Sequence, residues 1–106
     1  MSPGQKLTAL VIALSVAAFA PAHAELFRVT IDKLDFSPKD IKATVGDTIE
    51  WINNDIFAHT ATVSGDWDVM ISPKKSGNIV LTKPGDVEYF CRFHPNMKGH
   101  IAVGQK

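Results

Sequence analysis

The chain has no second cysteine. Cys91 stands alone among 106 residues, so no internal disulfide can close. It has no C-x-x-C-H, which excludes covalent haem attachment of the usual kind. Basic residues such as Arg28, Lys33, Lys39, Lys42, Lys83, Arg92 and Lys98 are scattered, and Lys74-Lys75 is the only adjacent pair after residue 24. That dispersal excludes the concentrated basic surface a nucleic-acid partner needs. No twin-arginine pair occurs near the start, and nothing after residue 24 holds a helical period. The longest apolar run, Leu7 to Ala20, has 14 residues, short of the roughly 20 that span a bilayer.

What is present at the N-terminus is a secretory pattern. Lys6 precedes the apolar run, and Ala22-His23-Ala24 supplies a small-x-small cleavage site. The expected organisation is a signal peptide over 1–24, removed after Ala24, and one small domain over 25–106. An uncleaved anchor is the competing reading. Cleavage predicts a periplasmic chain with no stable membrane association. Loss of Lys6 leaves 10 basic against 11 acidic residues, a formal charge of −1. In an oxidising compartment small domains usually pair their cysteines, so an unpaired Cys91 needs another explanation than a bridge.

The mature region reads as all-β. Leu26 to Ile31 alternates in part, Ile41 to Val45 cleanly, and Thr48 to Asn53 resumes after a Gly46-Asp47 turn. Ala58 to Val63 is a short strand broken by Ser64-Gly65-Asp66. Asn78 to Thr82, Val87 to Cys91 and Gly99 to Val103 follow, the first two separated by Lys83-Pro84-Gly85-Asp86. Seven or so short strands divided by Gly, Pro, Asn and Asp predict a small antiparallel Greek-key β-sandwich. Phe57 and Trp67 to Ile71 fall in a less regular middle, as ordinary core or as cover for a site.

The chemistry concentrates in Cys91-Arg92-Phe93-His94-Pro95-Asn96-Met97. A thiolate, an imidazole and a thioether stand at C-x2-H-x2-M, and Pro95 stops any helix there. His59, 32 residues before Cys91 on another strand, is the candidate fourth donor. Thiolate and thioether favour Cu(I), and imidazole serves both oxidation states. Two imidazoles and a thiolate with a weak axial thioether make an electron-transfer copper site. With His59, Cys91, His94 and Met97 all supplied by protein, no position stays open for substrate, in contrast to catalytic metal sites. One copper ion per chain and a carrier rather than an enzyme are the expectations.

At these residues the chain resembles the cupredoxins, in their amicyanin-like and plastocyanin-like branches. The resemblance runs through Trp51-Ile52-Asn53, His59, Tyr89-Phe90-Cys91 and His94-Pro95-Asn96-Met97-Lys98-Gly99. The short gap from His94 to Met97 is similar to the amicyanin-like loop. The resemblance implies His59, Cys91, His94 and Met97 as copper ligands. It also implies His94 nearest the surface within an apolar docking patch, a monomer, and redox partners such as a periplasmic dehydrogenase, methylamine dehydrogenase among them, or a cytochrome c.

Two residues depart from that pattern. Thr60 stands where asparagine is frequent, and its hydroxyl is expected to tie the two ligand segments together. Phe93 stands where amicyanin-like loops carry proline. Its restored N–H has two readings: a hydrogen bond to the Cys91 sulfur that raises the potential, or no bond and only a larger apolar patch.

The alternative function is copper storage or delivery by the same soft donors. A Cys91–His94 enzyme lacks an orienting third residue and room for a cleft, and zinc has little use for a thioether. His100 reads as a surface or edge histidine, Met70 as core or rim, Trp51 and Tyr89 as core aromatics, and Asp66 and Asp68 as a solvated turn.

Overall fold

Alternating apolar residues, punctuated by Gly and Asp, fold into two facing sheets. The computed structural model describes residues 23–106. The expected signal segment therefore lies outside them except for its last two residues. Nine strands follow in order: β1 (Leu26–Asp32), β2 (Asp35–Ser37), β3 (Asp40–Thr44), β4 (Thr48–Asn53), β5 (His59–Val63), β6 (Trp67–Ile71), β7 (Ser76–Val80), β8 (Gly85–Cys91) and β9 (His94–Gly104). One sheet has the order β2-β1-β4-β7 and the other β3-β9-β8-β5-β6. No helix among the described residues is long and apolar enough to cross a membrane.

The all-β sandwich is as expected, but the pairing is mixed. β1 runs parallel to β4, with Val29 opposite Trp51, and β3 runs parallel to β9, with Ile41 opposite Ile101. Between β1 and β4 the chain visits β2 and then β3 in the opposite sheet. It therefore re-enters the first sheet in its original direction, which a crossover permits and a tight hairpin does not. Trp67 to Ile71 is a regular edge strand, β6, antiparallel to β5. Strand β9 begins at His94, ahead of the expected Gly99.

The inward faces supply the core. Val29, Ile31, Ile49, Trp51, Ile71, Tyr89 and Ile101 are fully buried, and each such side chain contributes about 1.5–3 kcal/mol on leaving water. Tyr89 sits at the centre, edge-on to Trp51 at 5.4 Å and to Phe36 at 4.8 Å between ring centroids. Across the ladder it faces Gly99. A Cβ on Gly99 would overlap the Tyr89 ring, so the ring lies in space that only glycine leaves open. Burial pushes the Tyr89 phenol up to about 12. Gly46 and Gly65 turn the chain at φ of 100° and 78°, in the left-handed region that glycine enters freely.

Candidate metal centre

The C-x2-H spacing is a hairpin. β8 ends at Cys91, Arg92-Phe93 make the link, and β9 starts at His94, so Cys91 and His94 face each other as the first pair of the ladder. The next pair is Phe90 with Lys98. Pro95, Asn96 and Met97 therefore loop out of β9, and Met97 is turned back under the surface, 5 % exposed. His59 opens β5, beside β8 in the same sheet. His59 and Cys91 are fully buried, and His94 is half-buried.

These elements bring three donors together. Cys91 Sγ lies 3.6 Å from His59 Nδ1 and 4.0 Å from His94 Nδ1, and one donor atom from each residue lies within 4.8 Å of the others. The imidazole rings are 5.4 Å apart. Metal–nitrogen and metal–sulfur bonds of about 2.0–2.3 Å at trigonal angles put neighbouring donors about 3.6–3.8 Å apart. One sulfur–nitrogen separation falls in that range and the other, at 4.0 Å, just beyond it, so the donor set fits a small transition-metal ion. Met97 lines the same hollow as Leu34, Phe93, His94 and Pro95.

Polar side chains hold the donors in place. His59 Nε2 donates to Asp55 Oδ2 at 2.8 Å, which leaves Nδ1 free to face Cys91. The Asp55 carboxylate also accepts the N–H groups of Lys33 at 2.7 Å and Leu34 at 3.0 Å. These two residues form the β1–β2 turn with φ of 52° and 62°, a left-handed conformation costly for residues with a Cβ. Partial burial alone would raise the Asp55 carboxyl, but the bonds from Leu34, His59 and Lys33 outweigh it and hold it below its ordinary value. Asn53, also buried, donates to Phe57 O at 2.7 Å and Ile71 O at 3.1 Å, and accepts from Asp55 N–H at 2.8 Å. Sequence reasoning passed over Asp55. Its only signal was a carboxylate four residues before a histidine, in a stretch that reads as ordinary loop.

The hydrogen bond to the Cys91 sulfur comes from Thr60 N–H, at 3.4 Å. It does not come from Phe93, whose side chain is 48 % exposed and lies against the Arg92 guanidinium at 5.4 Å. Among the described residues Thr60 N–H, not Phe93 N–H, donates to the sulfur, and the exposed Phe93 ring favours the apolar-patch reading. Thr60 does tie the ligand segments, since Arg92 N–H donates to Thr60 Oγ1 at 2.8 Å. His100 lies outside the cluster on an inner strand of its sheet, 3.5 Å from Asp40. Met70 is exposed on the rim, and Phe57 is exposed rather than core. Asp68 is exposed as expected but belongs to β6 and pairs with Arg92, so it is not a turn residue.

The site's setting has relatives. The family described as Cupredoxin-like domain matches residues 6–103. Amicyanin of Paracoccus denitrificans is 28 % identical over 98 residues, covering 84 % of this chain and 75 % of the relative. Plastocyanin of Nostoc punctiforme is 37 % identical over 78 residues, covering 69 % of this chain and 53 % of the relative. The solved structure of amicyanin from Paracoccus versutus superposes with a TM-score of 0.65 at 28 % identity, covering 82 % of this chain and 87 % of that one.

Proposed function

The chain belongs to the cupredoxin-like family, and from that premise we propose that it is a periplasmic type 1 blue-copper electron carrier with His59, Cys91, His94 and Met97 as ligands. The observation that carries the reading is the convergence of one thiolate and two imidazoles within 4.8 Å, two of the three residues buried. Copper supplies one-electron Cu(II)/Cu(I) chemistry when bound. Cys91 and His59 are both fully buried, so copper held by them would be shielded from water on that side. Asp55 fixes the His59 ring, and Thr60 N–H offsets charge on the Cys91 sulfur. His94 is the donor that reaches the surface. Beside it Leu34 and Phe93, 44 % and 48 % exposed, give an apolar face through which a partner can approach. The partners are a periplasmic dehydrogenase or a cytochrome c, met by a monomer. With a mature charge of −1, docking rests more on apolar contact than on steering.

The burial of Cys91 and His59 supports this reading over delivery, because ligands that hand over metal must be reached by the acceptor. The test is cycling against release. The copper-loaded exported protein is expected to take one electron per chain from a reductant and return it to an oxidant over repeated cycles. A competing Cu(I) chelator in excess should remove the metal only over hours. Copper lost to the chelator within seconds would overturn the carrier reading in favour of delivery.

A further inference from the structure

Strand β5 and the ligand hairpin are joined by little regular ladder. Their one register pair is Thr62 with Phe90, and the β8–β9 ladder is irregular between Phe90 and Cys91. Past that point Thr60 ties β5 to the hairpin by two hydrogen bonds: Thr60 N–H to Cys91 Sγ, and Arg92 N–H to Thr60 Oγ1. Thr60 is fully buried and Thr62 is 6 % exposed.

The hydroxyls continue away from the cluster. Thr62 Oγ1 lies 2.9 Å from Thr60 Oγ1 and 2.6 Å from Asp68 Oδ1. A hydroxyl has one proton, and an ionised carboxylate only accepts. Thr62 therefore donates to Asp68 and accepts the Thr60 proton, which leaves Thr60 Oγ1 free to accept Arg92 N–H. Asp68 in turn accepts Arg92 Nε at 3.0 Å and Nη2 at 3.1 Å. The chain of bonds starts on the Arg92 main chain and closes on the Arg92 side chain. Serial bonds of one polarity strengthen each other, and the residue after Cys91 is gripped at both ends.

We propose that Thr62 and Asp68 are positioning residues for the metal centre: their hydrogen-bonded ring with Thr60 and Arg92 holds the Cys91 hairpin against β5 and sets the strength of the Thr60 N–H···S bond. The redox consequence rests on the carrier reading; the positioning itself does not. A weaker bond leaves more electron density on sulfur, favours Cu(II), and lowers the potential.

The test is Thr62→Val, with Thr62→Ser as the rescue and Asp68→Asn as a second, surface-accessible variant should the first fail to fold. Amide exchange is read on the metal-free exported protein. In Thr62→Val the Thr60 and Arg92 amides are expected to exchange about tenfold faster, with Ile101 unchanged. The potential is read by equilibrating the copper-loaded protein with a one-electron mediator, and Thr62→Val is expected to shift that equilibrium toward Cu(II) by about threefold, the weight of part of one hydrogen bond. Thr62→Ser should restore both, and Asp68→Asn should move both the same way by less. Wild-type exchange at Thr60 and Arg92 overturns the ring, as does a loss that serine fails to restore. Faster exchange with an unmoved potential overturns the redox role. A wild-type protein that gives no copper couple overturns the carrier reading alone, and exchange still decides the positioning.

Discussion

Strand β8 passes through two regions built on different principles. At Tyr89 it lies among Phe36, Trp51 and Gly99, held by ring contacts and a regular ladder. Two residues on, at Cys91, the ladder is irregular and side chains take over: Thr60 Oγ1 accepts from Arg92 N–H, Asp55 accepts from His59, and Asn53 donates to Phe57 O. Packing fixes the first region without needing particular polar groups. The second needs particular atoms at particular distances, because donors must point at a common centre and not merely fill space. The difference teaches where each kind of substitution should register: in the core as stability, at the hairpin as metal chemistry.

The largest effect should come from the core. Gly99→Ala forces a Cβ into the Tyr89 ring and is expected to cost about 3 kcal/mol, the upper part of the range for overpacking. Urea unfolding measures it. A folded remainder that still binds copper with wild-type colour would sharpen the contrast, whereas full stability would break it.

A smaller effect appears in alkali. Below about pH 10 the Tyr89 phenol is neutral both folded and unfolded, so it contributes no pH dependence. Between pH 10 and about 12 the unfolded chain ionises while the buried phenol does not. Stability should therefore fall across that window, by about 2–3 kcal/mol in all. In Tyr89→Phe that part of the alkaline loss should vanish. An identical pH profile in both proteins, followed by thermal unfolding, would contradict a buried neutral phenol.

The same contrast explains what the sequence made legible. Alternation marked Leu26 to Ile31 and Thr48 to Asn53 as strands, whose buried residues are Val29, Ile31, Ile49, Trp51 and Asn53, and Gly46 and Gly65 read as turns, because burial and positive φ act through single residues. Cys91, His94 and His59 could be found because their chemistry is rare and their spacing short or strand-placed. The parallel pairings β1–β4 and β3–β9 were hidden, since periodicity reports which face is inward and not which neighbour lies alongside. The β1–β2 hairpin was hidden too. Its two-residue turn with both φ positive usually calls for Asn-Gly, but here it is Lys33-Leu34, stabilised by Asp55 from 21 and 22 residues away. Thr60 was legible as a tie between ligand segments, while the identity of the donor to sulfur depended on turn geometry that no spacing reveals.

The most direct measurement is the visible absorption of the purified protein during a Cu(II) titration, beside Cys91→Ser. An intense blue charge-transfer band that saturates at one copper per chain, and is lost in Cys91→Ser, is the predicted result. Pale absorption like that of ordinary copper–nitrogen complexes, the same in both proteins, would contradict it, because Cys91 would then not be a strong ligand.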